Sequence, residues 1–469
     1  MKKIRNKKIK TKNRDDDRLT IFEIEQGDKE LTTHSGLALI GALLTNTKIK
    51  TRLNNTMSAE QKKPHISNGS VGIAYIGLLC QGKSDFDHIE PFREDNFFAI
   101  SLNIKETPSS PTLRQRLDMV AKDKQWNNIL LEESAGLIKK TNAPLTPVYL
   151  GLENRTYLPL DIDVSPFDNS NTKKEGVSRT YKGTDGYAPI FAYLAKEGYC
   201  VNTELRQGSE HCQKNTSEFV AESIRYARKI TQLPLLLRMD SGNDSASNIE
   251  ICLNDDTKAD FIIKRNLRKE TPEGWLLLAK NNKDIYCQER EGKKVYYGSM
   301  MKYKKELKRE IRVVYKITER TFGKDGQIFL VPQVEAETYW TSLPDPPHVI
   351  ERLYHEHGTS EQFHSELKTD LDLERLPSGK FDTNNLILHF GVVAYNLLRM
   401  IGQSTTRMQH VPLRKQAERR RIRTVIQNLI TLASRLVSHA RKKKLRFGKH
   451  SPWFETFNLK SESSFPSLT

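Results

Sequence analysis

The sequence predicts an α/β fold, a mixed sheet with helices that is interrupted by a β-rich insertion. Three observations predict it. Leu158, Leu160, Ile162 and Val164 alternate with Pro159, Asp161 and Asp163, the period of a strand whose second face carries carboxylates. "LPLLLRM" (233–239) is an almost continuous apolar run, as expected of a central strand buried on both faces. Between them, Phe219, Val220, Ser223, Ile224 and Ala227 recur at helical spacing, which gives the helix linking two strands.

The elements follow in order. Residues 66–83 read as a helix ending at a glycine. "PSSPTLRQRLDMVAKD" has a Ser-Pro helix start, then Leu113, Leu117 and Val120 on one face. We read 1–150 as an N-terminal helical domain, with Arg114 and Arg116 facing either phosphates or solvent. Residues 151–265 form the first part of the core: strands at "TYLPLDIDV", "YAPIFAYLA" and "GYCVNTELR", then helix, strand, short helix and the strand "ADFIIK". Short β-like runs rich in Lys and Tyr make 266–340 the β-rich insertion. Residues 341–405 return to the core with helices at "HVIERLYHEH", "TSEQFHSELKTDL" and "NNLILHFGVVAYNLLRMI". Residues 406–469 read as a basic C-terminal helical region, with Ile422, Val425, Ile426, Leu429, Leu432, Ala433, Leu436 and Ala440 on one face.

Composition narrows the function. The chain has 469 residues, a net charge of +17 and five scattered cysteines with no CxxC pair, so neither a disulfide framework nor a zinc ribbon is expected. No apolar run reads as a membrane span and no apolar region follows the basic start, so the chain reads as cytosolic. Residues 1–14 carry +8 and 401–469 carry +12, leaving the middle near neutral. Basic ends around a neutral body suit a grip on a polyanion; a solubilising tail is the plainer reading.

Three places carry candidate chemistry. Asp161 and Asp163 project from one side of a strand, where paired carboxylates cost desolvation unless they are ion-paired or hold a cation. Asp240 ends the apolar strand, the position where α/β sheets bind ligands; before Ser241-Gly242 it is equally a turn residue. In "YHEHGTSEQFHSELK", Glu361 falls in the first turn of a helix capped by Thr359 or Ser360, with Lys368 two turns on and Tyr354 and His357 before it. Each alone is compatible with an ordinary surface. Together, carboxylates from two strands and a later helix can form an acidic cluster for Mg²⁺ or Mn²⁺, and two such ions support phosphoryl transfer.

These segments in this order, "LDIDVS", "YKGTDGYAPI", "ELRQGSEHCQKNTSEF", "LRMDSGND", "YHEHGTSEQFHSELKTDL" and "AYNLL", resemble the DDE transposases of bacterial insertion sequences, the DDE domain group 1 family, over roughly 65–400. The resemblance implies a ribonuclease-H-like core with a mixed five-stranded sheet and the insertion before the catalytic Glu. It implies Asp163, Asp240 and Glu361 as catalytic, metal-binding residues, with Asp161 second choice to Asp163. Tyr354 and Lys368 match the Tyr and Lys of a Y-x2-R-x3-E-x6-K signature and are expected to contact DNA phosphate, as is His357, which stands where the signature has Arg and lacks its fork. Two Mg²⁺ ions, with Mn²⁺ as substitute, are implied as cofactors. Double-stranded DNA is the implied partner, terminal inverted repeats and target alike, handled by a homodimer in a bacterial, nucleoid-associated setting. A nuclease of the same fold and an inactive, transposase-derived DNA-binding protein are the alternatives. Trp275 is a better base-stacking candidate than Trp340, which reads as core; Arg206 and Arg238 are expected beside the site, on phosphate or on the acidic cluster.

Overall fold

Helices come first because apolar residues recur there at helical spacing. The computed structural model describes residues 23–56, 64–150, 155–257, 259–282, 286–323, 327–406, 408, 411–412, 417–439 and 442–464; the basic segment 1–14 lies outside them. Helix α1 (Asn68–Leu79) is buried along its whole length and α2 (Gln125–Lys140) along one face. The helix over Ser110–Val120 starts at Ser109, whose hydroxyl accepts from the Thr112 amide, the capping that its sequence predicts.

The sheet is built from β1 (Arg155–Val164), β2 (Ile190–Leu194), β3 (Tyr199–Glu204), β4 (Leu235–Met239) and β5 (Ala259–Lys264). Helix α3 (Thr216–Ile230) connects β3 to β4. The spatial order is β3-β2-β1-β4-β5. β1 runs antiparallel to β2 and parallel to β4, and β4 runs parallel to β5. Every residue of β4 is buried, Arg238 included, as its almost continuous apolar run predicts.

The sheet is larger than the five strands expected. The insertion contributes a helix at Pro272–Asn281 and strands β6 (Tyr286–Arg290), β7 (Lys293–Lys304), β8 (Arg309–Phe322) and β9 (Ile328–Thr341). β9 pairs antiparallel with β5, Ile262 opposite Thr341. The insertion therefore continues the core sheet into ten strands, counting Val148–Leu150 against β1, and supplies the backbone partners that β5 would lack as an edge.

Helices α4 (Pro347–His355), α5 (Ser360–Ser365) and α6 (Phe381–Thr406) follow. α6 is long and apolar enough to cross a membrane by length and composition, yet it is buried in the protein. Its polar residues explain this. Asn396 accepts from the Cys200 amide at 2.9 Å and donates to the Cys200 carbonyl at 2.7 Å, and Asn385 accepts from the Leu205 amide at 3.0 Å. The helix thus satisfies the outer edge of β3.

The basic C-terminal helix expected over 422–444 is not formed. The helix at Ile422 ends in a wide turn at Ile430, and β10 (Ser434–His439) and β11 (Lys442–Phe447) make an antiparallel hairpin joined by Leu31–Thr32. The buried Ser35 hydroxyl donates to the Leu432 carbonyl at 2.7 Å, and Gly36 N donates to Ile430 O at 3.1 Å. A distant segment ends the helix, and neither Gly nor Pro marks the break in the local sequence. The basic residues Lys442, Lys443, Lys444 and Arg446 stand exposed on β11.

Candidate active site

The parallel register of β1 and β4 sets the site. Asp161 stands opposite Arg238 and Ile162 opposite Met239, so the next step along both chains brings Asp163 and Asp240 to neighbouring strand ends. The two aspartates of "LDID" have different surroundings. Asp161 is 2% exposed and takes both arms of Arg238, Nε to Oδ1 at 2.6 Å and Nη2 to Oδ2 at 2.8 Å. Burial alone would raise its carboxyl, but Arg238 and His357 hold it below the usual range. The buried pair is thus matched in charge and hydrogen-bonded, and Arg238 also donates to the Leu353 carbonyl at 2.6 Å.

Asp163 opens towards the mouth of the sheet. Its Oδ2 accepts from the Ser360 hydroxyl at 3.2 Å and lies 3.3 Å from His364 Nε2. His364 Nδ1 lies 3.1 Å from the Tyr193 hydroxyl. Burial works against ionisation of Asp163, and His364, His357 and the Val164 amide outweigh it, so its pKa falls. Asp240 behaves in the opposite sense: burial first, then the charge of Asp163, push its carboxyl up, although Asn243 donates to its Oδ1 at 2.8 Å. A Cβ on Gly242 would come within 3.3 Å of that same oxygen, so the bare turn keeps the carboxylate accessible.

Glu361 is exposed in the first turn of α5. The cap expected from Thr359 or Ser360 is absent, because the chain runs helically from α4 through Glu356–Thr359 into α5 with no side-chain cap. Asp163, Asp240 and Glu361 all act on one group, the Tyr181 hydroxyl: burial first and then these three charges in that order push it up to about 12. The register sets Asp163 beside Asp240, and Ser360, the residue before Glu361, donates to Asp163, so α5 docks where the two strands end. The hard oxygens of these carboxylates, with two like charges side by side, fit a divalent cation that would relieve the repulsion on Asp240.

The signature residues divide. Lys368 donates to the Pro166 carbonyl at 2.6 Å, just past the end of β1, and burial lowers its pKa. Tyr354 is buried with its ring 4.8 Å from Tyr339, and burial, then Asp240 and Asp163, push its hydroxyl up. His357 is 5% exposed and its Nδ1 lies 3.3 Å from Asp161 Oδ1. It is enclosed beside that ion pair and does not present itself to solvent as a phosphate grip would.

Other expectations change with burial. Trp275 is 5% exposed and donates to Glu270 Oε2 at 3.0 Å, so it is core and not a stacking platform. Trp340 is core as read, donating to Asp244 at 2.9 Å. Arg206 is spent on Cys212 O, Thr216 and Glu204, and Arg116 donates to Asn68 at 2.6 Å. Glu337, Glu351 and His355 form a separate acidic cluster with ligand atoms within 4.8 Å of one another, but Lys316 and Lys264 already pair with its carboxylates.

Sequence reasoning missed Ser360, His364 and Tyr181. Ser360 and His364 flank Glu361 at helical spacing that brings them towards β1, a signal readable once α5 is docked there. Tyr181 lies in a turn and carries no periodic signal.

No curated protein matches the chain. Among solved structures, the cryo-EM structure of a piggyBac transposase synaptic complex with hairpin DNA aligns at 10% identity and a TM-score of 0.41, covering 86% of this chain and 83% of that one. The model of one protein family, described as transposase DDE domain group 1, matches residues 19–463. With that match over nearly its whole length, the chain belongs to the transposase DDE domain group 1 family.

Proposed function

We propose that this DDE transposase binds the terminal inverted repeats of an insertion sequence and cuts and joins DNA with Asp163, Asp240 and Glu361 as its catalytic carboxylates. The β1–β4 register that sets Asp163 beside Asp240, with Ser360 of the Glu361 helix donating to Asp163, carries the reading. The order β3-β2-β1-β4-β5, with β2 antiparallel to its neighbours, supports a ribonuclease-H-like core. Two Mg²⁺ ions, with Mn²⁺ as substitute, are the proposed cofactors; when bound they activate the attacking oxygen and stabilise the leaving one. The protein's part is to fix the carboxylates: β1 and β4 are buried strands, and Ser360 and His364 orient Asp163. Lys368, held at the Pro166 carbonyl, offers its charge to a DNA phosphate.

The partner is double-stranded DNA, with the exposed Lys and Arg of β11 as one contact and a homodimer as the working assembly. Second-strand cutting through a hairpin is part of the proposal. The test is an assay with pre-cleaved and uncleaved end DNA in Mg²⁺. The wild type is expected to cut ends and join 3′-hydroxyls to target, and Asp240→Asn to do neither. Cutting without joining identifies a nuclease, and unchanged cutting by Asp240→Asn overturns the site.

A further inference from the structure

Tyr181 sits at the tip of a small hairpin, between strands Ser178–Arg179 and Asp185–Tyr187, which Phe167–Asp168 joins as a third strand just beyond β1. The tip is fixed. Thr180 N donates to Thr184 O at 2.9 Å and Gly183 N to Thr180 O at 2.9 Å, with Gly183 at φ +82°, a conformation that glycine adopts without strain. Tyr181 is 69% exposed, a large ring offered to solvent. Its hydroxyl is turned inward, 3.4 Å from the carbonyl of Val164, the residue after Asp163. At that length the bond is weak and easily exchanged. The neighbouring Lys182 is exposed, and Lys368 donates to the carbonyl of Pro166, two residues beyond Val164. The exposed ring, the hydroxyl held by one long bond and the exposed Lys182 add little to the packing of the free protein. They match the chemistry of a DNA phosphate entering the site.

We propose that Tyr181 is a substrate-contacting residue of the reaction: on DNA binding its hydroxyl leaves the Val164 carbonyl and donates to a non-bridging oxygen of the phosphate being cut. The hydroxyl remains protonated through the neutral range, so it acts as donor throughout. This inference rests on the active-site reading above. Tyr181→Phe removes the donor alone and, at an exposed tip, leaves the melting temperature unchanged. Single-turnover end cleavage in Mn²⁺ is expected to slow about 10- to 100-fold, the range for a hydrogen bond to a charged group. Sulfur in place of each non-bridging oxygen of the scissile phosphate is the second readout. At one diastereomer, sulfur is expected to slow the wild type and to slow Tyr181→Phe no further. Wild-type cleavage by Tyr181→Phe overturns the inference, as does a slowed variant with fully additive sulfur effects at both diastereomers. If Asp240→Asn is inactive and Tyr181→Phe is not slowed, this inference alone fails; if Asp240→Asn cuts normally, the reading of the site fails first.

Discussion

Arg238 grips Asp161 with two parallel hydrogen bonds of 2.6 and 2.8 Å inside the sheet, and this separates the two aspartates of one strand into different roles. Both side chains project on the same side of β1. One is neutralised by its neighbour on β4, and the other faces a carboxylate in the next register position. Asp161→Asn leaves the Arg238 charge buried without its counterion. Loss of one partner of such a pair costs about 3–5 kcal/mol, so chemical denaturation is expected to show a fall of that order. A change below about 1 kcal/mol would mean that the pair is solvated and that the two aspartates are interchangeable.

Asp240 predicts the opposite sign. Burial and Asp163 raise its pKa in the folded state. A carboxylate with a raised folded pKa costs stability, and the cost is fully present once pH has risen above that folded value. Asp240→Asn is therefore expected to stabilise the metal-free protein, on the order of 1 kcal/mol, while abolishing cleavage. Mg²⁺ or Mn²⁺ should raise the wild-type unfolding free energy, by about 2.7 kcal/mol at a hundredfold excess over Kd, and leave the variant unmoved. Equal metal-induced shifts in both proteins would exclude Asp240 as a ligand.

Glu361 separates catalysis from folding most cleanly. It is exposed and has no capping role, so Glu361→Gln should change stability by no more than about 0.5 kcal/mol. As the third carboxylate of the cluster, its loss should reduce end cleavage more than about 100-fold, beyond the loss expected of a residue that only supports a ligand. A variant with both normal stability and normal cleavage would remove Glu361 from the site.

His357 gives a pH-dependent test. Burial would lower its pKa, but Asp161, and Asp163 beyond it, raise it on balance against the opposing charge of Arg238. A histidine with a raised folded pKa contributes stability that is fully present below its unfolded value of about 6.5 and is lost as pH rises through the folded value. The stability gap between wild type and His357→Gln should therefore be widest below the unfolded value of about 6.5 and narrow as pH rises through the raised folded value. A gap independent of pH would show that the imidazole acts by packing alone.

The strands, the connecting helix and the places of Asp163 and Asp240 at neighbouring strand ends and of Glu361 on a helix were legible in the sequence because each depends on local pattern or on order along the chain. Period two placed Asp161 and Asp163 on one side of β1, but only the β1–β4 register revealed Arg238 as the partner of Asp161. The C-terminal helix failed for a related reason. Its apolar spacing runs on to Ala440, but the segment at Ser35, about 400 residues away, ends the helix at Ile430. His357 was read as a surface donor because its enclosure beside Asp161 depends on how α4 packs on the sheet.

The same distinction between local and long-range determinants bears on Glu366, which lies five residues beyond Glu361. Its carboxylate is fully buried and paired with the equally buried Arg399 of α6, and Arg399 also donates to Tyr395 at 2.8 Å and to the Arg420 carbonyl at 2.8 Å. This pair fixes the segment carrying Glu361 and Lys368 to the core helix. Arg399→Met strands the Glu366 charge and is expected to cost about 3–5 kcal/mol. Replacing both residues by methionine removes both charges, and such apolar replacements are often neutral or stabilising. If the double variant regains stability but cuts ends poorly, the pair serves to set the position of Glu361. If it regains both, packing alone positions that helix and the ion pair is dispensable.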